Sequence, residues 1–249
     1  MVLNGVISRL DREAPEYQGA YQDFDTFYIT SASSTSGGSS GSPCLDINGK
    51  CVALNSGGEI LASSSFFLPL DNVVTALKHI QNGVLRPPRG SLEVSFRYVP
   101  MDEAQRLGWK NEDEAEIRRL RKTSYGVMAV NKIIPNGVGH AAGLREGDLI
   151  LKISNSWIFD FTSLQRILDD ASAGKSPKVL SLSIQRGAEK LTLDCKVESL
   201  WNFFPDEFLE YSKGIFHEIP YQYCLSFGIE PHSGVFVAFP GYNSISAIS

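Results

Sequence analysis

No run of apolar residues in this 249-residue sequence approaches the roughly 18 that a membrane-crossing helix requires. No helical span is expected. Basic residues are not in excess either: 23 Lys and Arg stand against 28 Asp and Glu, a net charge of −5. Without a general positive field, neither nucleic acid nor an anionic membrane is an expected partner. Cysteine is scarce, and Cys44, Cys51, Cys195 and Cys224 are scattered without metal-like spacing. Free thiols in a reducing compartment are expected rather than a disulfide framework, with no metal and no cofactor. The opening "MVLNGVISRLDREAPEY" carries Arg and acids where a secretory leader needs an apolar stretch, so the chain reads as soluble and intracellular. What it does have is 43% hydrophobic residues, enough to bury one or two ordinary cores.

Residues 1–30 hold short β-like pieces, "LNGVISRL" and "FDTFYIT", and the second leads into a Gly/Ser tract. After the tract, "CLDINGKCVALNS" reads as a hairpin turning on Asn48-Gly49, a dipeptide that readily takes positive φ at both central positions. "SSSFFLPL" is another strand, and "LDNVVTALKHIQNG" is an amphipathic helix with Val73, Val74, Leu77 and Ile80 on one face and a stop at Gly83. The "VLRPPRG" stretch breaks both periodicities and serves as a linker. Beyond it, "SLEVSFRYV" is strand-like and "MDEAQRLGWKNEDEAEIRRLRK" reads as a densely charged helix. "YGVMAVNKII" is a strand, "GHAAGLREGDLILKIS" a turn into another, and "DFTSLQRILDDA" a helix capped by Asp160 or Thr162. "KVLSLSIQRGAEKLTLDCKV" is a hairpin turning at Gly187. These elements make a compact α+β module, and a further unit begins near Leu200.

The tract "SASSTSGGSSGS" is a flexible linker by composition alone. Its place between a strand and a hairpin argues otherwise. Hydrolases of the trypsin type need glycines that fold the backbone tightly enough to aim two N–H groups at a developing oxyanion beside a projecting serine. Their pattern is G-x-S-G-x-P, and Gly38-Ser39-Ser40-Gly41-Ser42-Pro43 fits it. Ser40 is the candidate nucleophile, and the N–H groups of Gly38 and Ser40 are the candidate oxyanion donors. A phosphate-binding loop is disfavoured, since no Lys follows the glycines.

"FYITSASSTSGGSSGSPCLDINGKCVALNSGG" followed by "FFLPLDNV" is similar throughout to the second β-barrel of HtrA/DegP-family serine proteases. "RGSLEVSF", "NKIIPNGVGHAAGLREGDLILKIS" and "QRGAEKLTLDCKV" resemble the PDZ domain that follows the protease in that family. "GVISRLDREAPEY", the GGSSGSP loop and "SKGIFHEIPYQY" point to its fungal nuclear, pro-apoptotic branch with duplicated protease and PDZ units. The resemblance implies a mixed β and α+β fold. Residues 1–85 would be a partial trypsin-like β-barrel, 86–199 a PDZ-like module, and 200–249 the truncated start of a second PDZ-like unit. It also implies a nuclear or cytoplasmic setting, protein or peptide substrates, and possible oligomerisation. In such PDZ modules a loop presents N–H groups to a peptide C-terminus and the ligand adds as a strand beside a helix. The matching positions are Ser91, Leu92, Glu93 and Val94 for the loop and strand, with Leu164 and Leu168 on the helix, although those leucines also suit a plain core. Glu93 departs from the glycine usual in related loops, which sets a negative charge near an incoming carboxylate.

Histidine is missing where this chemistry needs it. A trypsin-type serine requires a His and then an Asp earlier in the chain to take its proton, yet His79, His140, His217 and His232 all follow Ser40. Three readings follow: a segment of a serine endopeptidase that is silent without its His-bearing barrel, a non-catalytic peptide-binding adaptor, or a degenerate protease fragment.

Overall fold

The computed structural model describes residues 3–14, 23–33, 36–59, 64–121, 126–176 and 178–241. The chain divides into two compact units between Pro87 and Pro88. Two successive prolines remove two amide donors and fix φ, so neither a helix nor a sheet ladder continues through them.

The first unit contains strands β1 (Ile7–Glu13), β2 (Phe27–Ser31), β3 (Pro43–Leu45), β4 (Cys51–Glu59) and β5 (Ser64–Pro69), then helix α1 (Leu70–Gln81). The strands form one antiparallel sheet in the order β1-β2-β5-β4-β3. Tyr28 and Thr30 of β2, Ala53 and Asn55 of β4, and Ser65 and Phe66 of β5 are buried. The β3–β4 turn differs from the expected tight hairpin. Gly49 has φ +79, but Asn48 does not take positive φ. The Asp46 carboxylate instead accepts the Asn48 and Lys50 N–H groups at 2.8 and 2.9 Å, and the Lys50 carbonyl accepts the Asp46 N–H at 2.9 Å. An aspartate turn therefore takes over the role given to Asn-Gly. Helix α1 forms where its periodicity predicts, but Val74, Leu77 and Ile80 stay exposed.

The second unit opens with β6 (Gly90–Ser91), β7 (Val94–Pro100), α2 (Met101–Arg106) and α3 (Asn111–Leu120). It continues through β8 (Gly126–Ile133), α4 (Val138–Ala141), β9 (Leu149–Ile153), β10 (Ser156–Trp157) and α5 (Phe161–Ser172). Next come β11 (Val179–Arg186), β12 (Glu189–Lys196), β13 (Glu198–Ser199) and a 3-10 turn at Leu200–Phe203. It closes with β14 (Leu209–Tyr211), β15 (Gly214–Glu218), α6 (Tyr221–Phe227) and β16 (Val235–Pro240). The central sheet is antiparallel in the order β12-β11-β9-β8-β7, with β10 on β9. β6 pairs with β13, and β14-β15-β16 form a separate small sheet. The hairpin β11–β12 turns at Gly187, φ +53. Asp160 rather than Thr162 caps α5, its carboxylate accepting the Ser163 N–H at 2.7 Å in a reciprocal box.

The single charged helix expected over 101–122 is two helices. The chain turns at Gly108, φ +97, where a Cβ would stand 2.1 Å from the Gly187 carbonyl oxygen. Only glycine fits that approach. The break drives Trp109 into a core with Val99, Met101, Ala104, Ile117, Val127, Ala129, Leu149 and Leu151. The described residues after 199 belong to the same compact unit as those before. Tyr221, Cys224 and Leu225 of α6 are buried, and the Lys132 ammonium on β8 donates to the Ser226 carbonyl at 2.6 Å.

Candidate active site and peptide-binding loop

The Gly/Ser loop hangs between β2 and β3 and is pinned from β4. The Asn55 side-chain amide donates to the Ser39 carbonyl and to Ser39 Oγ, both at 2.9 Å. The Asn55 backbone accepts the Gly41 N–H at 2.7 Å and donates to the Ser42 carbonyl at 2.8 Å. The Ser39 N–H and hydroxyl both go to the Ser36 carbonyl, and the Ser42 N–H to the Ser39 carbonyl. Gly38 and Gly41 take φ +88 and +81, left-handed values that let the loop reverse on both sides of Ser40. Ser40 is exposed. Among the described residues, no group accepts the N–H of Gly38 or of Ser40, while those of Ser39, Gly41 and Ser42 are all spent. An exposed hydroxyl and two amide donors without acceptors among the described residues thus occur within three consecutive residues. No imidazole or carboxylate hydrogen-bonds to Ser40 among the described residues. Asn55 was not singled out by sequence reasoning; its signal was a polar residue at an inward position of a strand otherwise rich in small and apolar side chains.

In the second unit, Ser91, Leu92, Glu93, Val94, Leu164 and Leu168 are each more than nine-tenths buried. The loop and helix α5 meet through Gly90: its N–H donates to Asp169 Oδ1 at 3.0 Å, its carbonyl accepts from Gln165 at 3.1 Å, and it lies against the Leu168 carbonyl. Glu93 holds φ +56, the left-handed value that glycine adopts without strain. Burial pushes its carboxyl above the usual range, opposed by a hydrogen bond from the Val138 N–H. Asp169 is raised for the same reason, burial, opposed by its bonds from Gln165 and Gly90. The four cysteines are free, and burial pushes the Cys195 thiol up to about 12, so it is inert near neutral pH. Among the described residues no three His, Cys, Asp or Glu side chains gather as metal ligands, and no helix is long and apolar enough to cross a membrane.

An antiparallel β-sheet carrying a glycine-flanked serine loop, followed by a mixed α+β unit, is consistent with the trypsin-like scaffold and appended module that the motifs implied. No protein-family model matches the sequence. Among curated proteins, the chain is 37% identical over 97% of its length to Protease Do-like 7 of Arabidopsis thaliana. It is 40% identical over 92% of its length to the Pro-apoptotic serine protease NMA111 of Coccidioides immitis. It spans about 22% of the length of each. A solved structure, the HtrA-type protease AlgW with tripeptide, shares the fold at 20% identity and TM-score 0.50, covering 78% of this chain and 59% of that one. The chain is thus a homologue of the HtrA-like and Do-like serine proteases, as its motifs suggested, and its mixed β and α+β fold agrees with that relationship.

Proposed function

We propose that this chain contributes the nucleophile-bearing part of an HtrA-like serine endopeptidase and a PDZ-like unit that binds peptides. The observation that carries the first half is the exposed Ser40 hydroxyl with the Gly38 and Ser40 N–H groups, which have no acceptor among the described residues. In the reaction, a base takes the Ser40 proton as Oγ attacks the peptide carbonyl. The two N–H groups hold the resulting oxyanion, and collapse expels the amine to leave an acyl-serine for hydrolysis. All four histidines follow Ser40 in the chain, so the base comes from a His-bearing barrel outside these 249 residues, and this chain alone is silent. Removing triad members leaves only about 10³ to 10⁴ over the uncatalysed rate, even with the oxyanion hole intact. Ser91 to Val94 are the loop assigned to the peptide, next to Gly90, which meets α5, the helix that carries the buried Leu164 and Leu168.

A fluorophosphonate probe tests the catalytic half. The chain alone gives the same background labelling as its Ser40→Ala variant. Joined to the His-bearing barrel of a Do-like relative, it labels strongly and only when Ser40 is present. Labelling of the joined protein that persists in Ser40→Ala refutes the assignment, as does failure of Ser40 to label there.

A further inference from the structure

Catching a peptide's terminal carboxylate requires open backbone N–H groups and no fixed negative charge beside them. The loop at Ser91–Val94 has one of its amides spent and a carboxylate beside it. The Glu93 N–H donates to Ser91 Oγ at 2.8 Å, and the Gly90 N–H donates to Asp169 at 3.0 Å. Ser91 Oγ is in turn hydrogen-bonded at 2.8 Å to the hydroxyl of Tyr221, 130 residues away, in a fully buried contact. The Glu93 carboxylate, itself buried, sits within this loop and accepts the Val138 N–H.

Tyr221 is firmly held. It begins α6, whose Cys224 and Leu225 are buried, and its ring stacks on Phe203 with centroids 5.3 Å apart. The Lys132–Ser226 bond and an Asn136–Glu230 bond at 3.3 Å tie the same segment to β8 and the turn that follows it. A carboxylate entering here has to break the Glu93–Ser91 bond, displace the tyrosine hydroxyl and settle beside Glu93 and Asp169. Each step opposes binding, because the like charges would be poorly screened and the freed polar groups left buried.

We infer that Tyr221 seals the terminal-carboxylate loop of the second unit, so that a free C-terminal carboxylate gives a peptide no advantage there. Resting on the peptide-binding reading of Ser91–Val94, the inference names the ligand class of that site. Selectivity lies in three residues: Tyr221 closes the loop, Ser91 occupies its amide, and Glu93 repels the charge.

The test uses the full chain and a set of fluorescent decapeptides, each prepared as free acid, as C-terminal amide and with a five-residue C-terminal extension. Anisotropy is expected to give affinities for the three forms within about twofold for the wild type. A combined Tyr221→Phe, Glu93→Gly variant, its fold checked by tryptophan fluorescence, is expected to prefer the free acid at least tenfold. A tenfold free-acid preference in the wild type overturns the inference, as does a folded double variant that gains none. If no peptide binds in any form, the peptide-binding reading fails and the seal is judged by hydrogen exchange. Protection of the Glu93 amide is expected to fall at least tenfold in Tyr221→Ala but not in Tyr223→Ala; equal protection in the two overturns the seal.

Discussion

Replacing Arg186 by Met probes how strongly the second unit depends on one ionic clamp. Asp148 is 1% exposed, and Arg186 grips it through two bonds, Nε to Oδ1 at 2.8 Å and Nη2 to Oδ2 at 2.7 Å. The same Nη2 donates to the Gly143 carbonyl at 2.7 Å, closing the turn between α4 and β9. Methionine keeps the packing of the stem but removes all three bonds, leaving the carboxylate, among the described residues, with the Arg145 N–H at 2.8 Å. Stripping the partner from a buried ion costs about 3–5 kcal/mol. The arginine side chain is 26% exposed, so water reaches part of the vacated space and the lower end applies, about 3 kcal/mol. Urea unfolding followed by tryptophan fluorescence is a clean assay, because Trp109, Trp157 and Trp201 all lie in the second unit. With a slope of about 2 kcal/mol per molar urea, the midpoint falls by about 1.5 M. Adding Asp148→Asn removes the stranded charge and restores at least half of that drop. A fall below about 0.5 M on the scale of that slope, or a double variant no more stable than the single one, refutes the reasoning.

Gly90→Ala sets a Cβ 2.1 Å from the Leu168 carbonyl oxygen and 2.9 Å from Val197; it should destabilise the second unit by about 2–3 kcal/mol through displacement of α5, read by the same midpoint. Glu93→Gln tests a buried charge. Burial raises the Glu93 carboxyl in the fold, so its contribution destabilises increasingly as pH climbs above the ordinary carboxylate value of about 4, and fully above the raised value. The variant should match the wild type near pH 4 and exceed it at pH 7, with Asp169 supplying a residual slope of the same sign; a variant that is less stable at pH 7 contradicts this. Asn55→Ala removes two hydrogen bonds to Ser39, partly offset because the buried Asn55 Oδ1 has no partner among the described residues. The net loss of about 1–2 kcal/mol should make limited proteolysis within residues 36–42 roughly tenfold faster.

Much of the architecture was legible because it follows from local rules. The α1 periodicity, the Asp160 cap, the turn at Gly187 and the Gly38–Pro43 pattern each depend on neighbours a few residues apart. The errors arose where a distant segment intervened. A continuous helix over 101–122 is locally reasonable, and it breaks because Gly108 packs on Gly187 from another hairpin. The Asn48-Gly49 turn is different, since it yields to a local rival: the Asp46 carboxylate, two and four residues from the amides it accepts, outweighs the propensity of a dipeptide. Asn55 and Tyr221 lie within stretches that carry the resemblance, but nothing local marks them out, since their partners lie 16 and 130 residues away.

By itself, then, the sequence determined the family relationship and the glycines that permit left-handed φ around Ser40, because backbone freedom is a property of residue type. Only the tertiary structure decided which amides stay open at Gly38 and Ser40 and which are consumed at Gly90 and Glu93. The physical reason is that a hydrogen-bond donor's availability depends on what folds against it, whether directly, as Asp169 does at Gly90, or through a neighbour, as Tyr221 does through Ser91.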